Sequence, residues 1–206
     1  MTARRDKFDP GAISRNWWSD LNGSGKKQGR DRAAFAELRR CTDPLSIAFV
    51  PAFDRLRRRF GIAAANEKGL ERLADIAVLL AHVTEDDGRP VARALGPVPS
   101  GQAAMSEARF RRLLQADDRA DCLRRLTRAI KMLKGKANVA DLAEAVWYWN
   151  DRTKRRWAFA YLDANQPDDE RGPVQSQTMD NGGSGRDNLS TAPSSDFLSA
   201  GQSQSR

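Results

Sequence analysis

The chain has 206 residues, of which 35 are Lys or Arg and 27 are Asp or Glu, so its formal net charge is +8. It contains no apolar run of the roughly 18 residues that a membrane span requires, and residues 1–9 lack the apolar centre of a signal peptide. We therefore expect a basic cytoplasmic protein built from one ordinary domain, or from one domain and a tail.

Helix signals begin close to the N-terminus. Asp9-Pro10 provides a capping side chain and a favoured first-turn proline, and Asn22-Gly23 is typical of a helix end. A second helix is predicted over residues 30–41. Its buried side is expected to contain Ala33, Ala34, Leu38 and Cys41.

Residues 43–85 predict a helix that is interrupted by a proline, followed by a helix at the centre of the bundle. Asp43-Pro44 caps the first part, Pro51 interrupts and restarts it, and Gly61 ends it. Asn66 can cap a further helix that runs from Glu67 to about Glu85. That helix is apolar nearly all round, which is typical of the centre of a bundle.

Residues 86–105 are predicted to form a long loop. The segment contains three prolines and three glycines, and only Val91–Leu95 offers enough helix-forming residues for one turn. Loops of this length are uncommon in compact domains unless they are functional or disordered.

The second half of the body is also helical in pattern. Ser106 can cap a helix, and the segments that follow repeat apolar residues at helical spacing. The residues expected to face inward are Phe110, Leu113 and Leu114, then Leu123, Leu126, Ile130 and Leu133, and finally Leu142, Ala145, Val146, Trp149, Trp157 and Tyr161. The last group fits one long helix or a broken pair, and no segment alternates long enough to indicate a strand.

These elements predict an all-α fold, a compact multi-helix bundle arranged as a single body or as two packed lobes. We assign residues 1–165 to a helical nucleic-acid-binding domain and residues 166–206 to a disordered tail rich in Gly, Ser and Gln. Gly, Pro, Ser and Gln supply 21 of the 41 tail residues, which hold too little apolar surface to offset the entropy of ordering. The tail carries six acids and three bases, so the body has a net charge of +11.

The polar helix faces are rich in arginine, which outnumbers lysine by 27 to 8. Basic clusters lie at residues 39–40, 57–59, 109–112, 124–136 and 152–156. Planar guanidinium groups match phosphate oxygens, so recurring clusters indicate a polyanion as ligand. The alternative is that these faces are solvated surface, and bases near a helix end also suit the helix dipole without any ligand.

Five tryptophans raise a second possibility for nucleic-acid contact. Trp17-Trp18 and Trp147-Tyr148-Trp149 could stack on unpaired bases, but adjacent aromatics on an amphipathic helix usually place one ring in the core. We assign Trp149 and Trp157 to the core, while the pattern leaves Trp18 and Trp147 open.

Searches for reactive motifs find no catalytic, metal or cofactor site. The run from Gly23 to Lys27 lacks the first glycine and the Ser/Thr of a phosphate loop, so we interpret it as a basic linker. Asp86-Asp87 and Asp117-Asp118 are paired carboxylates, but a two-metal site draws ligands from several places in the chain. Asp86-Asp87 is followed by Gly88, and this sequence first indicates a turn. His82, the only histidine, lies in an apolar run that favours packing. The two cysteines, far apart and without a neighbouring histidine, indicate neither a zinc site nor a disulfide framework.

The order of these features resembles the CasB family, the small subunit of the type I-E CRISPR Cascade complex. The resemblance covers roughly residues 12–163 and depends on an ordered series of segments rather than on one motif. The segments are the Trp17-Trp18 helix, the second helix ending in LRRC, PAFDRLRRRFG (51–61), LADIAVLLAHV (73–83), the loop ending in VARALG (91–96), SEARFRRLLQADD (106–118) and AVWYWNDRTKRRWAFAYL (145–162).

The resemblance implies a non-catalytic helical subunit without a cofactor. Such subunits lie as a pair beside the backbone and large subunits and the guide RNA, and they help hold the guide–target duplex and the displaced DNA strand when the R-loop opens. Since base pairing reads the sequence, backbone contacts suffice for such a subunit. By position and by basic pattern, the candidate nucleic-acid-binding residues are Arg39, Arg40, Arg93, Arg109, Arg112, Arg128, Lys131, Lys134, Arg152 and Arg155.

Other functions remain as alternatives. A helical protein–protein adaptor with solvated basic faces would show no salt-dependent retention of nucleic acid. A small hydrolase or nuclease using the aspartates would need metal-dependent turnover. A membrane-surface role fits less well, because the arginines are spread over several helices rather than one.

Overall fold

The structure is a computed structural model that describes residues 8–23, 29–41, 43–98 and 101–165. Its helices are α1 Pro10–Leu21, α2 Arg32–Arg40, α3 Pro44–Ala48, α4 Pro51–Phe60, α5 Glu67–Ala81, α6 Val91–Leu95, α7 Glu107–Leu114, α8 Arg119–Met132, α9 Val139–Trp147 and α10 Asp151–Leu162. Short 3₁₀ turns follow α4 and α10 at Gly61–Ala64 and Asp163–Asn165. The predicted tail, and the predicted basic linker after its first residue Gly23, lie outside the described residues.

Side-chain caps fix where most of these helices begin. Asp9, Asn66 and Asp118 each accept a hydrogen bond from a backbone N–H in the first turn of the following helix, and Asp31, Asp43, Asn138 and Asn150 do the same. Such bonds satisfy backbone donors that have no partner within the helix. Ser106 occupies the cap position of α7, but its side chain makes no capping hydrogen bond.

One predicted helix end and one predicted buried face were wrong. In α2 the buried face is formed by Ala34, Phe35 and Leu38, whereas Ala33 is exposed. Phe35 supplies the larger apolar surface, so its burial sets the rotation of the helix. Helix α5 ends at Ala81 instead of near Glu85, because the chain then turns into an extended segment.

That extended segment forms a short parallel ladder in an otherwise mostly helical chain, and an isolated antiparallel bridge joins Val98 and Gly101. β1 (Glu85–Asp86) pairs in parallel with β2 (Lys136–Ala137), and the Thr84 N–H donates to the Gly135 carbonyl over 2.8 Å. This ladder of two residues per strand is too short to produce an alternating pattern in sequence. It ties the end of α5 to the connection between α8 and α9.

The core is one contiguous cluster centred on α5, so the helices form a single body rather than two lobes. Helix α5 packs against α2, α4, α8 and α9, as its nearly complete apolar surface predicts. The last apolar segment is a broken pair, α9 and α10, separated at Tyr148–Asn150.

The long connection between α5 and α7 is anchored at several points. The Asp141 carboxylate accepts from the Val91 N–H over 2.8 Å, and the Tyr161 hydroxyl donates to the Met105 carbonyl over 2.7 Å. Gly96 lies so close to α10 that a Cβ there would fall 2.5 Å from the Tyr161 carbonyl oxygen. The described parts of this segment are thus held against α9 and α10 at Val91, Gly96 and Met105.

The tryptophans that the sequence left open are buried. Trp18 is 3% exposed and donates to the Leu80 carbonyl, and Trp147 is 6% exposed beside Phe60. Trp17 is buried as well, so these three rings cannot serve as stacking platforms for bases. Trp157 belongs to the core as predicted, and Trp149 is packed against the core and partly buried.

Candidate nucleic-acid interface

Four arginines from two helices line a surface groove of about 360 Å³ between α7 and α8. Arg109 and Arg112 come from α7, and Arg125 and Arg128 come from α8. Three of the four were predicted as nucleic-acid-binding residues, and the fold brings them together from segments that are separate in sequence. We call this feature the arginine groove.

Packing of the opposite helix faces places these side chains outward. On α7, Phe110 is buried and stacks on Tyr161 with ring centroids 4.2 Å apart. On α8, Leu126 and Ile130 are almost fully buried. Because residues three apart share a helix face, the buried side of each helix leaves an arginine pair on the other side. Arg109, Arg112 and Arg128 are exposed, and Arg125 is partly exposed.

Arg125 is the groove residue that the sequence did not single out. Its Nε donates to the Asp121 carboxylate over 2.6 Å, and the same carboxylate accepts from Arg124 over 3.1 Å. The hydrogen bond from Arg125 holds the pKa of Asp121 below its usual range, with Arg124 adding to the effect. The sequence did contain a signal for Arg125, because it precedes the predicted Arg128 by three residues and so lies on the same face of the helix.

Two further predicted residues, Arg39 and Lys131, influence the charge state of His82 at the C-terminal end of α5. Burial lowers the pKa of His82, and repulsion from Lys131 and Arg39 lowers it further. These cations belong to α8 and α2, so positive charge from two helices acts on this histidine. The predicted packed histidine is thus half-buried at a helix end, beside exposed basic residues.

The remaining predicted residues do not line the arginine groove. Arg40 is exposed at the end of α2, and Lys134 is exposed with a backbone φ of 55°, in the left-handed region. Arg93 is half-buried on α6. Arg152 and Arg155 are exposed on α10, where Arg152 borders a second groove with Tyr148 and Asn150.

Several basic clusters from the sequence are partly neutralised by carboxylates. Asp54 accepts from both Arg57 and Arg58, and Asp20 accepts from Arg59 over 2.6 Å. Exposed pairs of this kind contribute little stability and leave less charge for a ligand. The solvated-surface interpretation therefore fits α4 better than it fits the arginine groove.

The paired carboxylates that the sequence flagged have structural partners. Asp86 pairs with Arg15 and also accepts from the Val139 N–H, while Asp87 pairs with Arg89. Asp118 caps α8, and Asp117 pairs with Lys154. Within the described ranges no three His, Cys, Asp or Glu residues are grouped so as to hold a metal ion. None of the helices described is long and apolar enough to cross a bilayer.

Residues 34–162 match the family model of the CRISPR-associated protein Cse2, and this match covers more than half of the chain. The chain belongs to the Cse2 family. CasB from Thermus thermophilus has a similar structure, with 28% identity, a TM-score of 0.55, and coverage of 75% of this chain and 99% of that one. These matches confirm the family resemblance seen in the sequence.

A second similar structure shares the fold at lower identity. It is a chain from E. coli Cascade bound to a PAM-containing double-stranded DNA target, with 21% identity and a TM-score of 0.53. The alignment covers 77% of this Cse2-family protein and 97% of the E. coli chain. No curated protein sequence matches the chain.

Proposed function

We propose that this Cse2-family protein is a non-catalytic structural subunit of a type I-E CRISPR Cascade complex. Its partners are the guide RNA, the target and displaced DNA strands, the backbone and large subunits, and a second copy of itself. It acts in the cytoplasm, where it binds the guide–target duplex and the displaced strand and so stabilises the R-loop.

The arginine groove is the observation that carries this proposal. Four arginines around one groove form a concentrated positive site, and one of them, Arg125, is paired with the carboxylate of Asp121. Guanidinium groups bind phosphate oxygens through paired hydrogen bonds without reading the bases. That property suits a subunit whose complex reads sequence by base pairing.

The first test is co-purification from cells that encode the rest of the complex. The tagged full-length chain should bring down a multi-subunit complex and a short RNA. Recovery of protein partners without RNA, together with no oligonucleotide binding by the chain itself, would instead support the adaptor alternative.

The second test is the salt dependence of binding. If about five phosphates of a single strand are neutralised, log K should fall with log salt with a slope of roughly −3.5. Unrelated oligonucleotides should give similar slopes and affinities. A strong preference for one sequence, or a flat response to salt, would contradict binding through the phosphate backbone.

A further inference from the structure

A second surface pocket, of about 320 Å³, lies between α5 and α8, beside the end of α9. It shares no lining residue with the arginine groove. Leu123, Val146 and Trp149 line this pocket and are only partly buried, so they offer apolar surface that a ligand can reach. We call this feature the α5–α8 pocket.

The walls of the α5–α8 pocket are held together by contacts within the chain. Arg119, at the start of α8, donates to the buried Asp75 carboxylate and, over 2.9 Å, to the Glu71 carbonyl of α5. Trp149 packs edge-on against buried Trp157, with ring centroids 5.4 Å apart. Because Asp75 has its charged partner within the wall, the inner surface that a ligand meets is mainly apolar. A recess with ordered walls also costs less entropy to fill.

Charges of both signs flank this apolar surface. Lys68 and Arg72 are exposed on the α5 side, and Asp117 and Asp118 are exposed on the α8 side. Asp117 contacts Lys154 over 3.2 Å, but its side chain is 93% exposed and stays accessible to a second cation. A nucleic-acid strand carries negative charge only, so the aspartates disfavour it here, whereas a protein surface supplies both signs.

We infer that the α5–α8 pocket is a docking site for another protein subunit of the complex. One apolar side chain of that subunit fills the recess, an acidic residue beside it faces Lys68 and Arg72, and a basic residue faces Asp117 and Asp118. Apolar anchors in ordered pockets carry much of the free energy of protein–protein binding, and charges at the rim fix the orientation. This inference rests on the proposed function, and it assigns to a protein partner a face that the nucleic acid does not use.

The test measures how tightly the full-length chain joins the rest of the complex. The probe is the complex purified with its guide RNA from cells that lack this chain, and association is followed by biolayer interferometry. Leu123→Glu places a charge on the apolar surface and should weaken association roughly tenfold or more. Ile62→Glu is the matched control and should keep wild-type affinity, because Ile62 is 92% exposed on the turn after α4 and does not line the pocket.

A charge variant at the mouth tests the same contact with little effect on the fold. Arg72 is exposed, so Arg72→Glu should leave the melting temperature nearly unchanged. It should weaken association roughly three- to tenfold, because it places like charges together. Arg55→Glu is the control, since Arg55 is exposed on α4, lies outside the pocket and gives the same change in net charge. If Leu123→Glu unfolds the chain, the Arg72 and Arg55 variants decide the inference.

Oligonucleotide binding separates a protein anchor from a nucleic-acid contact. The Arg72 and Arg55 variants should bind a single strand equally, because they carry the same net charge. A loss of oligonucleotide binding specific to Arg72→Glu, or equal association of the pocket variants and their controls, would overturn the docking site and leave the proposed function intact. A wild-type chain that neither joins the complex nor binds an oligonucleotide would overturn the proposed function as well.

Discussion

Arg119 reaches from the first turn of α8 to the buried carboxylate of Asp75 on α5 and donates two hydrogen bonds to it. The Nε–Oδ2 distance is 2.6 Å and the Nη2–Oδ1 distance is 2.9 Å. Asp75 is 8% exposed, and its burial raises the pKa of the carboxyl group, while the hydrogen bonds from Arg119 oppose that rise. The pair therefore joins α8, which carries half of the arginine groove, to the central helix.

We expect Arg119→Ala to destabilise the protein by about 2–3 kcal/mol, because it leaves a buried carboxylate without its charged partner. Loss of Arg119 also removes the interactions that oppose the raised pKa of Asp75, so that pKa should rise further. A protonated Asp75 needs no cation, so the defect should be small at acidic pH. It should grow as the pH rises from the pKa of Asp75 in the unaltered protein to its higher pKa in the variant, and level off above that. Denaturant unfolding at several pH values measures both effects.

The matched control for this pair is Arg111→Ala on α7. Arg111 also pairs with a carboxylate, Glu107, but both side chains are more than half exposed. Its loss should change the free energy of unfolding by less than about 0.5 kcal/mol. Equal costs for the two variants, or an Arg119→Ala defect that does not depend on pH, would contradict the role assigned to Asp75.

Local signals predicted most of the helical architecture. Asp9-Pro10 and Asp43-Pro44 mark helix starts, and Gly61 follows α4 with the positive φ of 56° that glycine tolerates. Such signals involve residues that are adjacent in the chain, so a single sequence is enough to recognise them. Helix α5 ended early because its last predicted turn pairs with a distant segment at Lys136, and no local pattern encodes that partner.

The candidate site was predictable only in part, for the same reason. Exposure of Arg109, Arg112 and Arg128 follows from the amphipathic pattern of single helices. These arginines line one groove because α7 packs against α8. The same packing adds Arg125 and Met132 to the lining of that groove. The buried positions of Trp18 and Trp147 likewise come from tertiary contacts that spacing alone does not reveal.

The two cysteines should differ strongly in reactivity. Burial raises the pKa of the Cys122 thiol to about 12, and neighbouring Asp75 adds to the rise. At pH 8 its thiolate fraction should be roughly a thousandfold below that of an ordinary thiol, so alkylation of the folded protein should modify partly exposed Cys41 first. Mass spectrometry over time measures both rates. Comparable rates in the folded protein would contradict the burial of Cys122, and Cys41→Ser should remove the fast phase.

Removal of residues 166–206 should leave the melting temperature within about 2 °C of the full chain. This prediction comes from the tail sequence, which holds too little apolar surface to contribute much stability. The family match also ends before the tail, at residue 162. Nucleic-acid affinity should stay equal or increase slightly, because the deletion removes a net charge of −3. A fall of many degrees on truncation would show that the tail packs against the body.

Asp121→Asn should tighten binding to a single strand. The change removes one negative charge beside the arginine groove and releases Arg124 and Arg125 from their shared carboxylate. Each additional phosphate contact should steepen the salt slope by about 0.7. Asp54→Asn is the matched control, since Asp54 holds Arg57 and Arg58 in the same way on α4, away from the groove. An equal gain for both variants would point to net charge rather than to the groove.

Replacing Arg109, Arg112, Arg128 and Lys131 together by Ala separates the charge of the interface from its fold. All four side chains are exposed, so each change should alter stability by less than about 0.5 kcal/mol. Binding to a single strand should nevertheless weaken strongly, and the dependence of log K on log salt should become less steep by roughly 0.7 for each lost contact. An assembled Cascade that contains this variant should load its guide but form a less stable R-loop. Phe110→Ala is the opposite control, because loss of its buried ring against Tyr161 should cost about 3–5 kcal/mol of stability. A folded quadruple variant that keeps wild-type binding to oligonucleotides and to Cascade-bound target would show that the basic faces are ordinary solvated surface.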